Sequence, residues 1–294
     1  MKKVGFIGVG IMGKSMVRNL MKAGFELHIY ARTKSKVEDV IGEGAQFHES
    51  IKDCVQDCDA VITIVGFPQD VEEVYFDEGN ILDSAKEGAY LIDMTTTSPQ
   101  IAEKIYAEGT KRGFHVLDAP VTGGDTGAKA GTLSILVGGE KEDYEACMPL
   151  FEAMGTNINY QGKAGCGQHC KLANQIMIAG TLSGVCEALT YAKEQGLDPE
   201  VFMKSVATGA AGSKQLDTFG PKILKEDYAP GFFMKHFIKD MKLALIEANR
   251  KGLSLDVLSM VLANYEELEQ EGYGDLGTQA LMKFYDEEHR NTEE

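Results

Sequence analysis

Three stretches of this sequence carry reactive or ligand-holding groups at spacings that chemistry can use. The loop Gly8-Val9-Gly10-Ile11-Met12-Gly13 has the pattern G-x-G-x-x-G. It follows the apolar run Val4-Gly5-Phe6-Ile7 and precedes Met16, Val17, Leu20 and Met21, which recur at helical steps. Between strand and helix, Gly8 permits a tight turn, Gly10 lets a pyrophosphate approach the backbone, and Gly13 lets helix and strand pack closely. A diphosphate then rests on the free N–H groups and positive dipole of the helix start. The second stretch, Asp118-Ala119-Pro120-Val121-Thr122-Gly123-Gly124, sets the Thr122 hydroxyl beside the side-chain-free amides of Gly123 and Gly124. That is a small anion nest suited to a carboxylate; a plain glycine turn is the alternative. The third is Lys171, with Asn174 and Gln175 at i+3 and i+4 on one helix face. In a cleft, a lysine ammonium loses hydration and can exchange a proton with a substrate; on the surface it merely snorkels. Lys239 and Asp240 open another apolar helix, either as an exposed pair or as a cofactor contact.

The nucleotide's ribose is read after the second strand. An NAD site places Asp or Glu there, accepting from the ribose 2′-OH. This chain carries Ala31-Arg32-Thr33-Lys34-Ser35-Lys36 and no acid. A guanidinium suits a 2′-phosphate through forked, charge-assisted hydrogen bonds, so Arg32, Thr33 and Lys36 point to NADP(H), with NAD(H) still possible. A solvated basic turn is the competing explanation.

Positioning these groups requires an α/β region followed by a helical one. Strands are expected at 3–8, 26–30, 60–65, 89–93, 115–118, 132–137 and 157–160. Helices are expected at 14–23, 34–41, 69–76, 99–112 and 140–153. Buried strands alternating with helices build a mostly parallel sheet covered on both faces. Past Gly162-Lys163-Ala164-Gly165 the pattern is helix only, at 168–195, 198–208, 213–226, 236–251, 255–271 and 277–288. The long apolar segment 168–195 reads as a spine. This divides the chain into a dinucleotide-binding domain, 1–163, and an all-helical domain for substrate and oligomerisation, 164–294. Residues 287–294 read as a frayed polar tail.

The chain has 294 residues, enough for two domains, with 29 basic against 45 acidic residues and a formal charge of −16. Such a surface repels nucleic acid and anionic membrane, so basic side chains gathered in one cleft stand out as functional. No apolar run approaches the ~20 residues that span a bilayer, and the six cysteines, without a secretion signal, read as reduced thiols of a cytoplasmic protein. The spacing Cys166, His169, Cys170 is faintly zinc-like, but no second cluster completes four ligands, so no metal is expected.

The glycine loop, 118–124, Lys171 with Asn174, and Phe237-Ile238-Lys239-Asp240 occur in an order that resembles the β-hydroxyacid dehydrogenases. That family includes 3-hydroxyisobutyrate dehydrogenase, tartronate semialdehyde reductase and glyoxylate/succinic semialdehyde reductase. The resemblance covers essentially the whole chain. It implies a Rossmann domain with a second all-α domain and the active site between them, in a homodimer or homotetramer. It further implies that Thr122, Gly123 and Gly124 hold the carboxylate of a small substrate and that Lys171 is the catalytic acid/base. Asn174 and Gln175 would orient substrate, Lys239 would lie near nicotinamide and substrate, and Val65, Gly66 and Thr96 match cofactor-contacting positions. Thr122 stands where many relatives carry Ser, and Gln175 where the valine-pathway enzymes carry a second Asn. Leu172-Ala173-Asn174-Gln175 instead looks like the tartronate semialdehyde reductase branch, whereas Ala31-Arg32-Thr33 resembles the NADPH-using glyoxylate and succinic semialdehyde reductases. Imine-reducing relatives carry Asp in place of the lysine. The remaining alternative is a nucleotide-binding sensor or scaffold that kept the fold without turnover.

Overall fold

A computed structural model describes residues 1–285, so the 287–294 tail and the end of the 277–288 pattern lie outside the described residues. The chain divides into two compact units, Met1–Lys171 and the segment from Leu172 onward.

The first unit is a twisted sheet with helices on both faces. In chain order its elements are β1 (Lys3–Ile7), α1 (Ile11–Lys22), β2 (Glu26–Tyr30), α2 (Glu38–Gly42), β3 (Gln46–Phe47), α3 (Ile51–Val55) and β4 (Ala60–Thr63). There follow α4 (Pro68–Phe76), α5 (Ile81–Ser84), β5 (Tyr90–Asp93), α6 (Pro99–Lys111), β6 (His115–Asp118), β7 (Val121–Thr122) and α7 (Gly124–Ala130). The unit closes with β8 (Leu133–Gly139), α8 (Lys141–Ala146), α9 (Met148–Met154), β9 (Gly155–Gly162) and the start of α10 (Cys166–Glu194). The strand order is β3-β2-β1-β4-β5-β6-β8-β7, with β9 on the far side of β8. Strands β1 to β6 are parallel, in register Lys3↔Glu26, Val4↔Ala60, Ala60↔Tyr90 and Tyr90↔His115. The 3-2-1-4-5-6 order is that of a doubly wound dinucleotide-binding sheet. Beyond β6 the pattern changes: β8 runs antiparallel to β6 and β7. Both faces are dry. Val4, Phe6, Ile62 and Ile92 pack with Met16, Val17 and Leu20 on one side. Ile7, Val61 and Leu91 pack with Val71, Tyr75 and Ile105 on the other. This is why the strands read as unbroken apolar runs.

Several local expectations change. The 34–41 helix is a 3₁₀ turn, Lys34–Lys36, followed by α2. The 140–153 helix breaks at Cys147 into α8 and α9, with Pro149 in the first turn of α9; proline has no N–H to continue the preceding helix and its ring crowds the carbonyl four residues back, so it is accommodated at a helix start. Elements α3, α5, α7, β3 and β7, each seven residues or fewer, are too short for a periodic signal.

The second unit is helical: the rest of α10, then α11 (Pro199–Ala207), α12 (Lys214–Ile223), α13 (Met234–Arg250), α14 (Asp256–Gln270) and 3₁₀ segments Tyr273–Asp275 and Thr278–Tyr285. In α10, Leu172, Gln175, Ala179, Leu182, Cys186 and Leu189 are buried at alternating three- and four-residue steps. The apolar members join Phe237, Met241 and Ala244 of α13 and Leu258, Val261 and Tyr265 of α14 in one core. By length and composition α10 could cross a membrane, contrary to the sequence expectation, but its buried stripe belongs to this core.

Candidate active site

The C-terminal ends of β2, β1, β4, β5 and β6 lie side by side in that order, and open α/β sheets bind ligands along this edge. Each strand end is followed by one expected site segment: 31–36 after β2, 8–13 after β1, 64–67 after β4, 94–98 after β5 and 119–124 after β6.

At the first switch in strand order, Gly8 takes φ +97°, and a Cβ there would stand 2.0 Å from the Ile64 carbonyl oxygen. A Cβ on Gly13 would stand 2.2 Å from the Gly8 carbonyl oxygen. These contacts hold the loop tight against β4 and α1. Gly10 differs, with nothing within 4 Å of its Cβ position. The first turn of α1 has no side-chain cap and no acidic residue. A helix start with bare N–H groups and open space before it fits the diphosphate of a dinucleotide.

Arg32 is exposed, and its Nη1 lies 3.2 Å from Asp70 Oδ1 near the start of α4. Asp70 also accepts from the Phe67 N–H at 3.0 Å through Oδ2. Thr33 and Lys36 are exposed beside Arg32. Val65 donates its N–H to Thr95 Oγ1 at 3.0 Å, tying the segment with Val65 and Gly66 to the one with Thr96.

The Thr122 turn departs from its simplest reading. Gly123 has φ +128°, and its Cβ direction points at Leu133 Cδ2, 3.3 Å away. Gly124 has φ +64° and open space at its Cβ position. The first glycine therefore serves the backbone angle, and the second, the first residue of α7, has open space where a side chain would stand.

Lys171 is buried, with 7% of its surface exposed, in the second turn of α10. Two residues that sequence reasoning gave no role fasten this helix start. Asp118, at the end of β6, accepts from the N–H of Gly165 at Oδ1 and of Gln168 at Oδ2, both at 2.8 Å. The fully buried Gln168 side chain donates to the Thr95 carbonyl at 2.7 Å and accepts from the Thr97 N–H at 3.0 Å. Its amide thus brackets Thr96. A polar residue one turn before the lysine on an apolar helix was the available signal. Burial pushes the Asp118 carboxyl above its ordinary range, against the pull of these N–H groups. Burial also pushes the neighbouring Asp93 carboxyl up to about 6. Asp93 Oδ1 accepts from Thr63 Oγ1 and the Thr95 N–H, at 2.8 and 3.1 Å.

In the second unit, Asn174, Gln175, Lys239 and Asp240 form one chain of contacts. Asn174 Nδ2 donates to Gln175 Oε1 at 2.8 Å, and Gln175 Nε2 donates to Asp240 Oδ2 at 2.7 Å. Lys239 Nζ lies 3.0 Å from Asp240 Oδ1, with side chains only 11% and 1% exposed. The exposed-pair reading of Lys239 and Asp240 therefore fails. Gln175, 1% exposed with both ends of its amide engaged, stands behind Asn174 as its support.

Comparisons with known proteins identify the fold and the family. Residues 3–162 match the NAD binding domain of 6-phosphogluconate dehydrogenase. Residues 165–285 match the family described as NAD-binding of NADP-dependent 3-hydroxyisobutyrate dehydrogenase. The chain is 50% identical to an uncharacterised oxidoreductase of Bacillus subtilis, over 97% of this chain and 99% of that protein. It is 35% identical to an NAD-dependent L-serine dehydrogenase of Pseudomonas aeruginosa, over 97% and 98%. Among solved structures, a Mycobacterium tuberculosis 3-hydroxyisobutyrate dehydrogenase with L-serine superposes at TM-score 0.89, with 27% identity, over 97% of this chain and 99% of that one. With a dinucleotide loop, an intact lysine and these relatives, the non-catalytic sensor gives way to an enzyme. The chain belongs to the β-hydroxyacid dehydrogenase family, NAD(P)-dependent oxidoreductases that act on the hydroxyl group of small hydroxy acids.

Proposed function

We propose that this protein interconverts a small 3-hydroxy acid, or a closely related hydroxy acid, and the corresponding aldehyde acid with NADP(H) in preference to NAD(H). 3-Hydroxyisobutyrate, tartronate semialdehyde, glyoxylate and succinic semialdehyde are the candidate substrates. Oxidising the hydroxyl carbon removes a hydride and a proton. When bound, the nicotinamide supplies the hydride acceptor, or the donor in reverse. The chain's own groups do the rest. Thr122 and the amides at Gly123 and Gly124 anchor the carboxylate. Lys171 Nζ takes the hydroxyl proton during oxidation; as ammonium it stabilises the developing alkoxide and returns the proton during reduction. Asn174, supported by Gln175, orients the substrate, and Lys239 adds positive charge near the reacting carbon. Gly8 to Gly13, with Val9, Ile11 and Met12, hold the diphosphate; Arg32, Thr33 and Lys36 take the 2′-phosphate; Val65, Gly66 and Thr96 line the path towards the nicotinamide.

The observation that carries this reading is the fastening of Lys171's helix, through Asp118 and Gln168, to the β5 and β6 ends where a nicotinamide would lie. On a protein of charge −16, a buried lysine at that edge is the exception that substrate anions would seek. The exposed apolar side chains Met177, Tyr191, Val257 and Met260 on α10 and α14 support a homodimer or homotetramer, and the reduced cysteines a cytoplasmic setting. The test is Lys171→Ala assayed against a panel of semialdehydes and hydroxy acids. Turnover should fall by about 10² or more with NADPH affinity nearly unchanged. Near-normal turnover would remove Lys171 from the mechanism.

A further inference from the structure

Arg32 meets a carboxylate that comes from a distant strand end. Arg32 lies just past β2, and Asp70 lies in the first turn of α4, after β4. Strand β1 runs between β2 and β4, and neighbouring strands stand about 4.8 Å apart. The 3.2 Å contact from Arg32 Nη1 to Asp70 Oδ1 therefore spans the end of β1, where the Gly8–Gly13 loop begins. The two partners are unequal. Asp70 is held in place: its side chain is 17% exposed, and its Oδ2 accepts from the Phe67 N–H at 3.0 Å. Arg32 is 73% exposed and has room to turn. Lys34, the next cation along the loop, is engaged elsewhere, 3.6 Å from Glu49 and over the Phe47 ring.

We propose that Asp70 is an internal competitor for the 2′-phosphate of NADP(H) and sets how strongly the protein prefers that cofactor to NAD(H). The proposal rests on the reading above that Arg32 takes this phosphate. One guanidinium then answers to two anions, a fixed carboxylate of the chain and a phosphate of the ligand. An ion pair screened by water at one end is weak enough to be traded. The share of molecules in which Asp70 holds Arg32 lowers the apparent affinity for NADP(H) in proportion. NAD(H) carries a hydroxyl in place of that phosphate, so the pairing costs it nothing. Asp70 acts through Arg32 and is a positioning residue; it moderates the preference that Arg32 creates.

The experiment titrates the full chain with NADPH and with NADH, following nicotinamide fluorescence. The proteins are wild type, Asp70→Asn, Asp70→Ser, Arg32→Ala and the double variant Arg32→Ala with Asp70→Asn. Both Asp70 variants remove the charge and keep an oxygen for the Phe67 N–H, so either one suffices if the other fails to fold. They should bind NADPH at least about 3-fold more tightly than wild type, with NADH changed by less than about 2-fold. In the Arg32→Ala background, Asp70→Asn should move NADPH by less than about 2-fold, because the two residues act as one unit. A gain confined to one cofactor is a result that a loosened α4 does not produce. NADPH affinity unchanged or weakened in both Asp70 variants overturns the proposal. An equal gain for NADH also overturns it, since Asp70 would then repel the diphosphate that both cofactors share. A gain that persists without Arg32 does the same. Each of these outcomes leaves the Arg32 assignment standing while the wild type prefers NADPH. Tighter binding of NADH by the wild type sinks both.

Discussion

The Asp118 carboxylate and the backbone N–H of Gln168 meet at 2.8 Å across 50 positions of sequence. With Gly165 on the other oxygen, Asp118 caps the first turn of α10 from a strand end. Helix starts leave orphan N–H groups, and two buried ones left unpaired cost on the order of 1–3 kcal/mol each. Asp118→Ala should therefore lower stability by about 3 kcal/mol in urea denaturation. Asp118→Asn, which keeps one good acceptor, should lose less. An alanine variant within about 0.5 kcal/mol of wild type would show that the cap is dispensable.

Cofactor choice rests on Arg32. Its contact with Asp70 joins an arginine side chain 73% accessible to a carboxylate 17% accessible; water screens the arginine end, which leaves the guanidinium available to a phosphate. Fluorescence titration should show tighter binding of NADPH than of NADH. Arg32→Ala should weaken NADPH about 10-fold or more and move NADH by less than about 2-fold, since a charge-assisted hydrogen bond is lost from one ligand only. Tighter NADH binding by the unmodified protein would refute the assignment.

Carboxylate anchoring is better tested at Thr122 than at Gly123. A methyl on Gly123 meets Leu133 and strains a backbone at φ +128°, so Gly123→Ala reports on the turn rather than on the ligand. Thr122→Val keeps the shape and removes the hydroxyl. KM for acidic substrates should rise about 10-fold, with kcat/KM falling in step and NADPH affinity unchanged. Neutral aldehydes should be poor substrates of both proteins. If they were reduced as well as their acid counterparts, the anchor would be wrong.

Asp93 makes stability depend on pH with an unusual sign. Its carboxyl is raised from 3.8 to about 6, chiefly by burial, so the folded state holds its proton more firmly than the unfolded chain does. That stabilisation is complete below about pH 4 and is lost as pH rises through 6, a swing of about 3 kcal/mol. Asp93→Asn keeps an oxygen for Thr63 and the Thr95 N–H and does not titrate. The stability difference between Asp93→Asn and wild type should therefore shift in favour of the variant by up to about 3 kcal/mol from pH 4 to pH 8. A difference that does not vary with pH would dismiss the effect.

The glycine loop, its flanking strand and helix, the parallel half of the sheet and the helical second half are all legible in residue order, because each is a periodic or spaced pattern. Lys171 stands out for the same reason. Asp118, Gln168 and Asp240 do not, because their partners lie 47 to 73 positions away or depend on which end of an amide faces a charge. Gln175 illustrates the limit: its neighbour and type suggest a substrate ligand, whereas burial and two filled hydrogen bonds make it a support. The Cys147 break and the short elements escaped because local proline geometry and five-residue turns leave no periodicity to read.

The first unit is not finished when its last strand is. Asp118, Thr95 and Thr97 find their partners at residues 165 and 168, beyond the end of β9. As the chain leaves the ribosome, a segment ending at Gly162 would hold every strand of the sheet yet keep a buried carboxylate and two backbone groups without their native partners. The nucleotide-binding unit gains these contacts only after synthesis has entered the helix that goes on to build the second core. Biosynthesis thereby sets an order, in which the loop that frames Thr96 acquires its final shape together with the first turns of α10.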